Sequence, residues 1–200
     1  MTMEKFINYA FKKRVEFLKL LKKDIGKISE KILIEFTRTV AIMITYGPAG
    51  LSGSIKMVTF LPKNEYLGYL TKIAEKYAYE TRLNLKDKID ILLKEFYVED
   101  RIDFMKIGCL EMAFRHTWTN VRNSRLATLV FFTPPIEAYE VRCRIKIHNN
   151  WDYVQRYLNA LHDFFHFSGK RSKYPAYECI IEEVYDNSAS SEGFGRKIYP

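Results

Sequence analysis

Arg115-His116-Thr117-Trp118-Thr119-Asn120-Val121-Arg122-Asn123-Ser124-Arg125-Leu126-Ala127-Thr128-Leu129-Val130-Phe131-Phe132 sets three arginines, a histidine and several short hydrogen-bonding side chains between two apolar runs. The flanking runs, Phe104–Phe114 and Leu126–Thr133, have the β-branched and aromatic content of strands. A strand that leaves its sheet into a polar, arginine-bearing connection and then re-enters a sheet presents fixed donors at the sheet edge. Guanidinium groups are permanently charged and donate two parallel hydrogen bonds, which suits a phosphate. Arg115, His116, Thr117, Thr119, Asn120, Arg122 and Arg125 are therefore the candidate ligand-binding residues. A solvated polar turn in a basic protein is the alternative, and the residues alone leave both open. Trp118 divides in the same way, between stacking on a flat ligand and packing at a strand end.

Downstream, Tyr139–His148 alternates cleanly. Tyr139, Val141, Cys143, Ile145 and Ile147 face one side, and Glu140, Arg142, Arg144 and Lys146 the other. The Pro134-Pro135 connection is too short for a parallel crossover, so Leu126–Thr133 and Tyr139–His148 are expected to be antiparallel neighbours. Trp151–Phe167 has helical spacing, with a cap expected within Asn149-Asn150. A basic loop, Ser168–Pro175, leads to a last strand, Tyr177–Tyr185.

Upstream, Met3–Glu30 reads as a basic amphipathic helix ending near Gly26. Ile32–Tyr46 and Ser54–Leu61 read as a hairpin about the turn Gly47-Pro48-Ala49-Gly50. Asn64–Val98 returns to helical spacing as two helices separated near Arg82–Lys86. Six strands without regular βαβ alternation predict an α+β fold. The simplest such architecture is a six-stranded antiparallel barrel with an N-terminal helix (1–31), a barrel domain (32–185) carrying a helix pair inserted at 64–98, a helix before the last strand, and a polar tail (186–200).

The 200 residues are 48% hydrophobic and 15% aromatic, ample for a packed core and unlike a disordered chain. A net charge of +8 favours an anionic partner, whether nucleic acid, an acidic membrane surface or a phosphorylated small molecule. Cys109, Cys143 and Cys179 each lie in an apolar run with no close-spaced partner. They are expected to be buried, unpaired thiols, which fits a cytoplasmic protein. The N-terminus is broken by lysines, so no signal peptide is read, and no apolar run approaches the ~20 residues of a membrane helix. His162 and His166 lie one helical turn apart around Asp163, but no third ligand at motif spacing joins them, so no metal site is assigned. No nucleophile motif and no Walker-type loop is present, and no catalytic acid or base is named.

The order of elements, together with Thr117-Trp118-Thr119-Asn120-Val121-Arg122-Asn123-Ser124-Arg125-Leu126-Ala127-Thr128-Leu129-Val130-Phe131 and Tyr139-Glu140-Val141-Arg142, resembles the pyridoxamine 5′-phosphate oxidase-like family of FMN-binding split barrels. The chain departs from that pattern at Thr117, where a lysine is common, and at Cys143 or Arg144, where a glycine is usual. The resemblance implies that the segment after the third strand holds the FMN phosphate and part of the isoalloxazine ring. It further implies a homodimer with the cofactor at the subunit interface, and flavin-dependent oxidoreductase chemistry. A second expectation is a non-enzymatic nucleic-acid-binding protein, or an accessory protein of a virus or mobile element, acting through its basic surface. Its features are the N-terminal helix, the loop Lys170-Arg171-Ser172-Lys173, and Gly193-Phe194-Gly195-Arg196, which is similar to the glycine-rich C-terminal loops of CRISPR-associated repeat-RNA-binding proteins. A third is an interaction domain with no small ligand.

Overall fold

The computed structural model describes residues 3–23 and 29–200, so the expected end of the first helix near Gly26 lies outside the described residues. Among the described residues all the strands belong to one antiparallel sheet: β1 (Val40–Thr45), β2 (Ser52–Met57), β3 (Thr59–Pro62), β4 (Ile102–Leu110), β5 (Leu126–Thr133), β6 (Glu137–His148), β7 (Ala176–Asp186) and β8 (Arg196–Tyr199). Their order is β2-β1-β5-β6-β7-β4-β3, with β8 added beside β7. The sheet curls into a half-barrel, consistent with a split barrel, but its eight strands replace the expected six.

Two local events account for the difference. The run Ser54–Leu61, expected as one strand, breaks at Val58: β2 pairs with β1, whereas β3 pairs with β4. Val58 leaves both ladders and donates its N–H to the Thr39 carbonyl at 3.0 Å. Arg196–Tyr199, expected within a polar tail, is the other addition; it pairs with β7 at Asp186↔Arg196, Tyr185↔Lys197 and Val184↔Tyr199, and its Ile198 is buried.

Two further segments differ in kind. Ile32–Tyr46 is not one strand. It begins as helix α3 (Glu30–Phe36), whose first turn is capped by Ser29 accepting from the Ile32 N–H, and becomes extended only at Val40. Thr37 and Thr39 donate to the Ile34 and Phe36 carbonyls, closing the helix end before β1 begins. The strand expected over Phe104–Phe114 is β4, which stops at Leu110 because the Glu111 carboxylate takes the N–H groups of Ala113 and Phe114 at 3.0 and 2.9 Å.

Several other expectations agree with the structure. β5 and β6 are antiparallel neighbours from Leu126↔Arg144 to Thr133↔Glu137. Tyr139, Val141, Cys143 and Ile145 of β6 are buried, and Arg142, Arg144 and Lys146 are exposed. The three cysteines are free and buried. The inserted helices are α4 (Asn64–Tyr79) and α5 (Leu85–Ile91), with Asn84 capping the second. The helix before the last strand is α7 (Tyr153–His166); its cap is Asp152, which accepts from the Gln155 N–H at 3.0 Å, rather than Asn149 or Asn150.

One core fills the barrel. The N-terminal helical segments, α1 (Glu4–Ile7) and α2 (Lys13–Lys23) with a wider π-turn at Asn8–Lys12 between them, close it with Phe6, Tyr9 and Phe11. Tyr9 lies 4.8 Å from Tyr139, and Phe6 lies 5.3 Å edge-on to Phe131. A second core lies between α4, α5, α7 and the other face of β4 and β7. Gly108 permits that approach, because a Cβ there would sit 2.6 Å from a Leu61 methyl and 2.9 Å from one of Leu158. Among the described residues no helix is long and apolar enough to cross a membrane.

Candidate functional site

The segment Arg115–Arg125, expected as an irregular connection, is a helix, α6 (His116–Ser124), ended by Arg125 in the left-handed conformation (φ 57°). Its sequence carries the reason. Thr117, Asn120, Val121 and Ser124 recur at helical spacing and form its inward face, while Arg115, Thr119 and Arg122 form its outward face.

The inward face is fixed to the β1–β2 hairpin. Asn120 is fully buried. Its amide nitrogen donates to the Gly50 carbonyl at 2.7 Å, and its amide oxygen accepts from the Ala49 N–H at 2.9 Å. Gly47 lies so close that a Cβ there would be 3.0 Å from the Asn120 amide oxygen. Thr117 donates to the Ser54 hydroxyl of β2 at 2.9 Å. Thr117 and Asn120 are thus bonded inside the protein, and their part is to hold α6 in place.

The elbow before α6 is built on Glu111, which is 1% exposed. One carboxylate oxygen takes the Ala113 and Phe114 N–H groups, and the other accepts from the Lys56 ammonium and the Tyr177 hydroxyl, each at 2.9 Å. Burial alone would raise the Glu111 pKa, but the Lys56 ammonium and the N–H donors outweigh it and hold the carboxyl below its ordinary range. Phe114 turns the chain at φ 53°, and Trp118 stacks on Tyr177 with 6.4 Å between ring centres. Sequence reasoning missed Glu111, Lys56, Ser54 and Tyr177. The one available signal was a carboxylate closing the apolar run Ile107-Gly108-Cys109-Leu110.

What α6 leaves free is its N-terminus. Arg115 supplies no side-chain cap, and among the described residues the backbone N–H groups of Arg115, His116, Thr117 and Trp118 have no side-chain or loop partner. Unpaired N–H groups at the positive end of a helix attract anions. The Arg115 and His116 side chains flank that end and are exposed. Arg122 lies 5.6 Å over the Trp118 ring, two turns along. Arg125 is at the far end, about 15 Å along the axis from Arg115 at ~1.5 Å per residue, beyond the span of one phosphate. The structure therefore brings Arg115, His116 and Thr119 together and separates them from Arg125. For the two helical histidines, His162 Nδ1 is 3.2 Å from Asp163, a carboxylate already bonded to Ser172 and Tyr79.

No protein-family model matches the chain, and no curated protein matches it. Among solved structures it is similar to HupZ of Group A Streptococcus, with TM-score 0.47, 11% identity and coverage of 86% of this chain and 98% of that one. It is similar to a candidate pyridoxamine 5′-phosphate oxidase of Lactobacillus delbrueckii, with TM-score 0.44, 14% identity and coverage of 81% and 96%. It is also similar to a pyridoxamine 5′-phosphate oxidase-related, FMN-binding protein of Nostoc punctiforme, with TM-score 0.44, 6% identity and coverage of 85% and 79%. The chain bears a weak structural resemblance to the pyridoxamine 5′-phosphate oxidase-like FMN-binding proteins. At these identities the likeness is one of fold.

Proposed function

We propose that this protein binds FMN as a homodimer and that the N-terminus of α6 receives the phosphate. The observation that carries this is the uncapped first turn of α6, held rigidly by Asn120 and Glu111 and flanked by the exposed Arg115 and His116. A phosphate there would accept from the free N–H groups of residues 116–118 and pair with the Arg115 guanidinium, with Thr119 on the same face. Arg122 and Arg125, further along the helix, suit an outer phosphate oxygen or another part of the ligand better than the same contact. FMN, when bound, supplies hydride and single-electron chemistry. The chain's own residues bind and orient it, and a flavin-dependent oxidoreductase is the activity this reading leads to.

The dimer has a face suited to it. Ile55 pairs with Ile42, and Ile42 with Val130, across the outer side of β2, β1 and β5. Ile42, Ile55, Met57 and Phe132 are exposed there. A contiguous apolar sheet face of this kind is a surface for self-association.

Calorimetry with FMN and with riboflavin tests the phosphate assignment. Wild-type protein should bind FMN and lose most of that affinity for riboflavin, which lacks the phosphate. Arg115→Ala should weaken FMN by about tenfold to a hundredfold, the worth of a charge-assisted hydrogen bond, while leaving riboflavin unchanged. Equal affinity for the two ligands would rule out the phosphate contact. Binding of labelled oligonucleotide in place of FMN, with steep salt dependence, would favour the nucleic-acid expectation instead.

A further inference from the structure

Arg38 lies in the short turn Thr37–Thr39 between α3 and β1 and is 4% exposed. Its Nε donates to Glu35 at 2.7 Å, one terminal nitrogen donates to Glu137 at 2.7 Å, and its guanidinium lies 4.9 Å over the Tyr9 ring. The other terminal nitrogen, Nη1, has no partner. Among the described residues it is the one buried side-chain nitrogen or oxygen of which this is true. A buried donor left unpaired is costly, so an acceptor is expected beside it.

Arg38 lines a pocket at the seam of the barrel, where the wall opens at Val58 between β2 and β3. Arg14 lines the same pocket and donates to the Val58 carbonyl at 2.6 Å; Thr59 stands beside it, and the floor is apolar, made by Ile107 and Phe131. The pocket opens to solvent, and about 210 Å³ of space, outside solvent included, lies within it. Its enclosed part has room for a particle of roughly water size. The charged residues lining it are Arg14 and Arg38; Arg38 is bonded to Glu35 and to Glu137, which also accepts from Lys13, whereas Arg14 has no carboxylate partner among the described residues and leaves its positive charge uncompensated. Over an apolar floor that charge favours an anion above a neutral water, because the field is weakly screened.

We infer that the seam holds a small inorganic monoanion of chloride size, accepting from Arg38 Nη1 and from the Arg14 guanidinium. Bound there, the ion ties the N-terminal helix, through Arg14, to the turn that starts β1, through Arg38. The site is separate from the α6 terminus: Ser54, which holds α6, is about 13 Å of strand away from Val58 at ~3.3 Å per residue. It stands whether or not the protein binds FMN.

The test compares thermal melts in potassium chloride and in potassium gluconate at matched ionic strength, since gluconate is too large for the pocket. With chloride the midpoint should rise by roughly 3–5 °C per tenfold increase once the site is filled, and with gluconate it should stay lower. Arg14→Gln should abolish the difference between the salts. Diffraction from wild-type crystals grown in bromide gives an answer that does not depend on a variant folding: an anomalous peak is expected within hydrogen-bond distance of Arg38 Nη1. Identical melts in the two salts, or bromide found only elsewhere with a water beside Arg38, would overturn the assignment.

Discussion

Asn120 has both ends of its amide engaged by the hairpin turn, and this decides its role. From sequence it ranked among the phosphate donors, because a short polar side chain between arginines suits an anion equally well. What distinguishes the two roles is the position of Gly47–Gly50, some seventy residues away in the chain, and no local pattern encodes it. Arg115 and His116, read from the sequence in the same way, are exposed and free for the contact proposed above. Asn120→Ala should therefore act on stability, removing the acceptor of the Ala49 N–H and the donor to the Gly50 carbonyl. Urea denaturation should show a loss of about 2–3 kcal/mol, the cost of leaving buried polar groups unpaired. A loss well below about 1 kcal/mol would show that the turn is held by other contacts.

At the scale of elements, strand β6 was readable from alternation alone, since its buried Tyr139, Val141, Cys143 and Ile145 are apolar and its exposed Arg142, Arg144 and Lys146 charged, with the terminal His148 the buried polar exception. α3 and α6 were not. Ile32 and Ile34 are β-branched and suit a strand, and the Ser29 cap and the threonine back-bonds favour helix there instead. α6 is short and its outward face is arginine and threonine, so its periodicity was hidden by polarity on both sides. One junction between elements carries a pH dependence. His148, at the end of β6, is 2.6 Å from Asp152, the cap of α7, and 2.8 Å from Glu178 of β7. Burial alone would lower its pKa, but the two carboxylates outweigh burial and raise it above 6.5. A raised folded value means that the stabilisation is complete below the unfolded pKa and is lost as pH rises through the folded one. Wild-type protein should thus lose stability to urea as pH rises from about 6.5 through the raised folded value, and His148→Ala should flatten that slope. The same slope in the variant would place its origin in other groups.

For the whole molecule, the antiparallel α+β class followed from element order, whereas the number of strands depended on a break at Val58 and a returning C-terminal strand that composition does not mark. The exposed Ile42, Ile55, Met57 and Phe132 were likewise hidden, because an apolar residue in a strand reads as core whichever face it takes. Ile55→Glu should convert the proposed dimer to monomer in light-scattering chromatography without unfolding it, since Ile55 is 75% exposed in the single chain. A wild-type monomer at all concentrations would remove the proposed interface. The most direct measurement is a crystal structure of the protein grown with saturating FMN. The phosphate oxygens should lie about 2.7–3.1 Å from the N–H groups of residues 116–118, with the Arg115 guanidinium paired to them. FMN bound with its phosphate away from α6, or a crystal with no FMN at saturation, would contradict the assignment.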